Sequence, residues 1–207
     1  MELKILEKIL QETAPGPKLT FTVLHLLKAI MLMGREGPLG RKSLSDKLPL
    51  GTGAVRTLIQ RLRDHQLISE DRQGCRLTER GLKLYSTLVS RISQPVVIDA
   101  GRLALDKWNV ALLVHNAAHK IGAGLEQRDA AVRAGATGAN SIIYSGGKFI
   151  IPRGSLDCAT DFPNTIWDRL KATLMPKDGD VIIVAGGSSR HAAEDGTLAA
   201  AWTLMAD

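Results

Sequence analysis

Arg56, Gln60 and Arg63 recur at i, i+4 and i+7 within Thr52–Asp64, with Thr57 and Arg61 beside them. A guanidinium pairs bidentately with guanine and a carboxamide with adenine, so these side chains suit the major-groove edge of DNA. Interleaved with them, Val55, Leu58, Ile59 and Leu62 take the i, i+3, i+4, i+7 spacing of one buried helical face. The spacing predicts a helix with its apolar face inward and its hydrogen-bonding face outward, a pattern that a solvated amphipathic helix with i,i+4 charge pairs shares. A second polar group follows at Arg72, Gln73 and Arg76, in and just after the connection Asp71-Arg72-Gln73-Gly74. Flanked by the strand candidates Leu67–Glu70 and Cys75–Leu77, this connection predicts a hairpin with a positive-φ corner. Cations on such a hairpin touch sugar and phosphate, which fixes position without reading sequence.

The elements that must position these groups are legible on either side. A leading helix is predicted over Leu3–Glu12 and a break at Ala14-Pro15-Gly16-Pro17. From Thr20, the stripe Val23, Leu26, Leu27 and Ile30 predicts a core helix that stops at Gly34. A short helix follows Gly40, with Ser43 and Asp46 as its capping arrangement and Leu44 and Leu48 inward; Pro49-Leu50-Gly51 then breaks the chain. Thr52 is placed to cap the helix that carries Arg56, and Thr78 to cap a final helix bearing Leu82, Tyr85, Val89 and Ile92. Two helices about a tight glycine turn make a helix-turn-helix.

Residues 20–92 resemble a winged helix-turn-helix of bacterial and archaeal transcription regulators. The likeness rests on "GTGAVRTLIQRLRDHQLI" as the helix leading into the wing and "LTERG" as its exit. It implies that the third helix enters the major groove of double-stranded DNA and that the hairpin lies along the backbone or in the minor groove, usually with two subunits on a two-fold site. The DNA-contacting residues it implies are Thr52, Arg56, Thr57, Gln60, Arg61 and Arg63 on the helix, and Arg72 and Arg76 on the wing.

Charge divides in the same place as composition. Residues 1–94 hold 16 Lys plus Arg against 9 Asp plus Glu, a net of +7, whereas residues 95–207 hold 11 against 12, a net of −1. A half that is this basic attracts polyanions. The organisation expected is a leading helix and linker over 1–17, a winged helix over 18–93 and an α+β domain over 95–207. The apolar stretch Leu19–Met33 is interrupted by His25 and Lys28, and the first ten residues carry Glu2, Lys4, Glu7 and Lys8, so neither a membrane span nor a signal peptide is expected. Two cysteines outside any paired spacing, Cys75 and Cys158, favour a reducing cytoplasm over a disulfide framework or a zinc site.

After the β-branched run Pro95–Ile98, the second half alternates strand and helix. Strands are predicted at Val110–Val114, Ser141–Tyr144, Phe149–Ile151 and Val181–Ala185, and helices at Leu125–Ala134, Thr165–Leu174 and Ala192–Met205. Hairpins mixed with crossover helices predict a two-layer α+β sandwich. Two glycine-containing loops are candidates for a small anionic effector. One leads through Gly122 and Gly124 to Gln127, Arg128 and Asp129; the other is Ala185–His191, with Ser188 and Arg190. Neither carries a dinucleotide or phosphate-loop fingerprint. His115 and His119, four apart, read as core or surface histidines; no cofactor, metal site or catalytic constellation is expected.

"GAGLEQRDAAVRAGATGA" behind a winged helix resembles a small archaeal family of two-domain proteins whose C-terminal domain has no established activity. The resemblance implies a β-α-β-β-α sandwich serving dimerisation or effector binding. The function expected is a DNA-binding transcription regulator acting as a homodimer. Two rivals stand beside it: a nucleotide-dependent enzyme of the cofactor-kinase type with an appended winged helix, and an RNA-binding adaptor that uses the same basic surface.

Overall fold

Leu6 and Ile9, three residues apart, are fully buried on the inward face of α1 (Lys4–Gln11), as the leading pattern requires. The computed structural model describes residues 3–11 and 19–205; Glu12 and the expected break at Ala14–Pro17 lie outside them. The chain divides into two units, Met1–Val89 and Ser90–Asp207. In the first, α2 (Val23–Glu36) buries Leu24, Leu26, Leu27, Ala29, Ile30, Met31 and Met33, so nearly its whole circumference is apolar contact, the mark of a central helix. It runs through Gly34 and ends at Gly37, whose φ is +83°. The stop expected at Gly34 is corrected: the Tyr85 ring lies where its side chain would be, 2.4 Å from an added Cβ, so this glycine serves a close approach inside the helix.

Two shorter helices, α3 (Arg41–Lys47) and α4 (Thr52–Asp64), flank the turn 48–51, where the Ser45 hydroxyl donates to the Leu50 carbonyl at 2.8 Å. Their N-caps are Gly40 and Gly51, without side-chain caps. The capping expected of Ser43 and Thr52 is therefore corrected: each lies inside the first turn of its helix, past the capping position. Strands β1 (Ile68–Asp71) and β2 (Gly74–Leu77) form an antiparallel hairpin with Asp71 opposite Gly74. Leu39 adds a bridge, exchanging two 2.9 Å backbone bonds with Cys75. Gly74 is required twice over, by its φ of +123° and by the Leu39 backbone 2.7 Å from where a Cβ would stand.

The unit closes with α5 (Glu79–Arg91). Thr78 does cap it: the hydroxyl accepts from the Gly81 amide at 3.1 Å and donates to the Gln66 carbonyl at 2.6 Å. Gly81 completes the arrangement, because an added Cβ would stand 2.0 Å from the Leu67 carbonyl oxygen. The motif "LTERG" is thus a cap and a close approach that dock α5 on the corner between α4 and β1.

The second unit begins inside the last turn of α5, earlier than Pro95, because Arg91, Ile92 and Ser93 already pair with the next long strand. Its elements are β3 (Val96–Val97), β4 (Trp108–Val114), α6 (Leu125–Arg133), β5 (Gly138–Ser145), β6 (Lys148–Ile150), the short α7 (Cys158–Asp161), α8 (Ile166–Leu174), β7 (Val181–Gly187) and α9 (Arg190–Met205). The sheet has the order β3-β4-β7-β5-β6, with every neighbouring pair antiparallel. The last strand of the chain therefore lies between β4 and β5, which α6 connects.

The expectation of two layers is corrected by burial on both sheet faces. Ala111, Leu113, Ile182 and Val184 pack in one cluster with Ile166, Trp167, Leu170 and Leu174 of α8. The alternate residues Val110, Leu112, Ile183 and Ala185 are equally buried on the face that α6 and α9 cover. The result is three layers, helix, sheet and helix. Helix α9 approaches closely through Gly196, where an added Cβ would stand 2.3 Å from Cβ of Ala136. Among the described residues no helix is long and apolar enough to cross a membrane.

Gly81→Ala is expected to lower stability by about 2 kcal/mol or more, the upper part of the overpacking range, because backbone cannot yield as a side chain can. Gly53→Ala, in α4 with nothing within 4 Å of the added methyl, is expected to raise it by up to about 1 kcal/mol. Urea denaturation of both variants checks the opposite signs.

Candidate functional site

Burial of Val55, Leu58, Ile59 and Leu62 turns the remaining face of α4 outward. Thr52, Arg56, Thr57, Gln60, Arg63 and Asp64 are all exposed there. Several are linked in a chain along the face. Gln60 donates to Asp64 at 2.7 Å and accepts from Arg63, whose guanidinium also lies 3.6 Å from Glu70 of the hairpin. The Thr57 hydroxyl is turned back onto the Gly53 carbonyl at 3.2 Å. Arg56 makes no ion pair or side-chain hydrogen bond among the described residues. At the start of the helix, the Gly51 cap leaves the first-turn amides without a side-chain acceptor.

Arg61 departs from the expected set. It is 8 % exposed, and its guanidinium donates to the Ile9 carbonyl of α1. A charge so placed is satisfied by the protein itself and ties α4 to α1, so its expected place on the outer face is corrected.

On the hairpin, Arg72, Gln73 and Arg76 are exposed at and after the turn. Arg76 is held by Asp71 and by Gln73, the latter at 3.2 Å, while Arg72 has no partner among the described residues. Glu70 fastens the hairpin to both preceding helices, reaching Arg41 of α3 at 3.1 Å as well as Arg63 of α4. Arg41 is exposed beside the site and went unassigned from sequence, where it reads only as the first residue of a short basic helix. Lys47 is committed elsewhere: it and Arg35 hydrogen-bond Glu36 and hold its carboxyl below the usual carboxylate value.

The loop residues of the second unit separate by role. Gln127 is 2 % exposed and donates to the Thr203 hydroxyl at 2.7 Å, pinning α6 to α9. Arg128 and Asp129 are exposed and pair with each other at 2.9 Å. In the other loop, Ser189 caps α9 by accepting from the Ala192 amide at 3.1 Å, and Ser188 and Arg190 are exposed without partners among the described residues. Gly186 and Gly187 face the protein: Leu105 Cβ and the Ala193 amide lie 2.6 and 2.7 Å from where their side chains would begin. The apolar strand end expected to open a backbone cradle is filled by the chain's own atoms. No bond joins the Gln127–Asp129 group to Ser188 or Arg190 among the described residues.

His115 and His119 line a 380 Å³ cavity, and His115 lies 3.4 Å from the buried carboxylate of Asp180. That carboxylate accepts from the amides of Asn116 and Lys177, each at 3.0 Å, so its work is to join two loops. Among the described residues no three His, Cys, Asp or Glu side chains are grouped to hold a metal ion. Both cysteines are buried, and burial pushes the Cys75 thiol up, away from the thiolate that nucleophilic chemistry needs.

Residues 23–83 match a family model described as "PH0730-like, N-terminal domain", and residues 105–204 match one described as a domain of unknown function (DUF4443). Comparison with curated proteins finds no match. Among solved structures, the chain is similar to one described as hypothetical protein PH0730 from Pyrococcus horikoshii OT3. The two are 27% identical with a TM-score of 0.70, over 89% of this chain and 92% of that one. The protein is thus an α+β chain with a helical N-terminal region and a sheet-plus-helix C-terminal domain, similar over most of its length to an archaeal hypothetical protein.

Proposed function

We propose that the protein is a sequence-specific DNA-binding regulator in which the N-terminal unit acts as a winged helix-turn-helix. One observation carries the reading: Arg56, Thr57, Gln60 and Arg63 stand exposed together on α4, beside a hairpin that exposes Arg72, Gln73 and Arg76. Helix α4 serves as the recognition helix. Arg56 is the side chain readiest to take a base edge, since it surrenders no partner, whereas Gln60 and Arg63 exchange their mutual bond for bases. The first-turn amides at Thr52 receive a phosphate, the ordinary use of an open helix N-terminus. Arg72 supplies a backbone contact from the wing. The net charge of +7 over residues 1–94 provides the sequence-independent attraction.

The C-terminal unit holds two copies together in this reading. Leu125 and Val132, 54% and 49% exposed and two turns apart on α6, form an apolar strip flanked by the opposite charges of Arg128 and Asp129. Such a strip is self-complementary about a two-fold axis.

The test is selection from random duplex DNA with the full chain at physiological salt, followed by affinity measurements on the enriched site. A two-fold motif is expected. Enrichment of no motif, or preference for structured RNA at equal salt, would overturn the reading. On the enriched site, Arg56→Ala and Gln60→Ala are each expected to cost about 1–3 kcal/mol and relax base preference, while Arg72→Ala weakens binding to every sequence and lowers the salt slope by about one. Arg61→Ala is expected to lower the melting temperature, through loss of a buried charged hydrogen bond of about 1.5–3 kcal/mol, with little change in DNA affinity of the folded fraction. Replacing Leu125 and Val132 together by Glu is expected to give monomers in sedimentation equilibrium with the fold retained.

A further inference from the structure

Within the N-terminal unit, α1 and α5 border a cavity of about 440 Å³, a volume in the range of small-molecule sites. Its floor is apolar: Leu67 and Leu84 are 1% and 2% exposed, and Ile5 is half-buried beside them. Its rim is cationic. Lys4 and Lys8 lie on successive turns of α1, Arg80 and Lys83 on successive turns of α5, and no carboxylate lines the cavity among the described residues.

The three lysines make no ion pair or hydrogen bond among the described residues, and Arg80 spends one N–H on the His65 carbonyl at 3.0 Å. Four like charges around one opening repel, and no described residue lining the cavity offsets them. A neutral apolar molecule would cover the floor and leave that repulsion in place. A bare inorganic anion would relieve the repulsion and leave the floor wet. Only a molecule with both parts answers both features.

We infer that this cavity is a binding site for an amphipathic anion: an acyl chain or ring seated on Ile5, Leu67 and Leu84, with a carboxylate or phosphate held by Lys4, Lys8, Arg80 and Lys83. Both walls are bonded to α4, α1 through Ile9 and Arg61 and α5 through Arg80 and His65, the residue that ends α4. A ligand that sets the spacing of α1 and α5 therefore acts on α4. Under the DNA-binding reading such a ligand is an effector; the site itself stands without that reading and is tested on protein free of DNA.

The experiment is calorimetric titration of the full chain with octanoate, octyl phosphate, 1-octanol and inorganic phosphate. One equivalent of octanoate or octyl phosphate is expected to bind saturably, at least tenfold more tightly than octanol or phosphate, and the better of the two identifies the head group. The triple variant Lys4→Gln, Lys8→Gln, Lys83→Gln, with unchanged circular dichroism because all three side chains are exposed, is expected to weaken that binding at least tenfold. Absence of saturable binding by either amphiphile, equal binding of octanol, or an unaltered affinity in the triple variant overturns the site. A triple variant that loses affinity for random duplex DNA while binding the amphiphile as before also overturns it, and assigns the lysines to nucleic-acid phosphate.

Discussion

A helix of 13 residues cannot hide one face without presenting the other, and the site described here depends on that constraint acting on α4. Val55, Leu58, Ile59 and Leu62 are driven inward because each is worth about 1.5–3 kcal/mol when fully buried. At about 100° per residue, fixing those four leaves Gly53, Thr57, Gln60 and Asp64 pointing away from the core. The hairpin is then placed by what the end of α4 allows. Thr78 and Gly81 bring α5 onto Gln66 and Leu67, and Leu39 and Glu70 fasten the strands to the helices before them.

This periodicity was plain in the residue spacing, and so were α2, α4, the hairpin and the Thr78 cap. The flanks of the stripe were not. Arg56 follows Val55 by one residue and Arg61 precedes Leu62 by one, so the two arginines sit on opposite borders of the buried face, about equally far from its centre. Nothing local distinguishes them. The difference is α1, which covers the Arg61 border with the Ile9 carbonyl and leaves Arg56 in solvent. A residue on the edge of an amphipathic helix is assigned by a neighbour distant in sequence, and the cationic rim shared by Lys4, Lys8, Arg80 and Lys83 is not legible in residue spacing for the same reason.

Glycine shows a second limit. Read along the chain, a glycine marks a turn or a stop, and Gly37 and Gly74 serve that way. Gly34, Gly81 and Gly196 sit inside helices, and Gly186 and Gly187 inside a strand, because another part of the chain occupies the space of their missing side chains. The occupants are, for the five in turn, an aromatic ring, a carbonyl oxygen, a facing alanine, the Leu105 side chain and a helix amide. Such glycines specify which elements meet and how closely, information that a backbone propensity does not carry.

The number of layers in the C-terminal unit turns on the run of residues in its last strand. Val181-Ile182-Ile183-Val184 is an uninterrupted apolar run, and a strand with one wet face would alternate. Continuous burial from Val181 to Gly187 requires helices on both sides even though the sheet is antiparallel throughout, and α8 and the α6–α9 pair supply them. Covering both faces also spends several of the unit's inward polar groups on internal joints: Gln127 on Thr203, Thr197 on the Val110 carbonyl, Asp180 on two loop amides. Among the groups this unit presents outward are Leu125 and Val132 with the Arg128–Asp129 pair, and the basic unit presents the hydrogen-bonding side chains of α4. Under the proposed reading, recognition of a polyanion belongs to the basic unit and self-association to the C-terminal one.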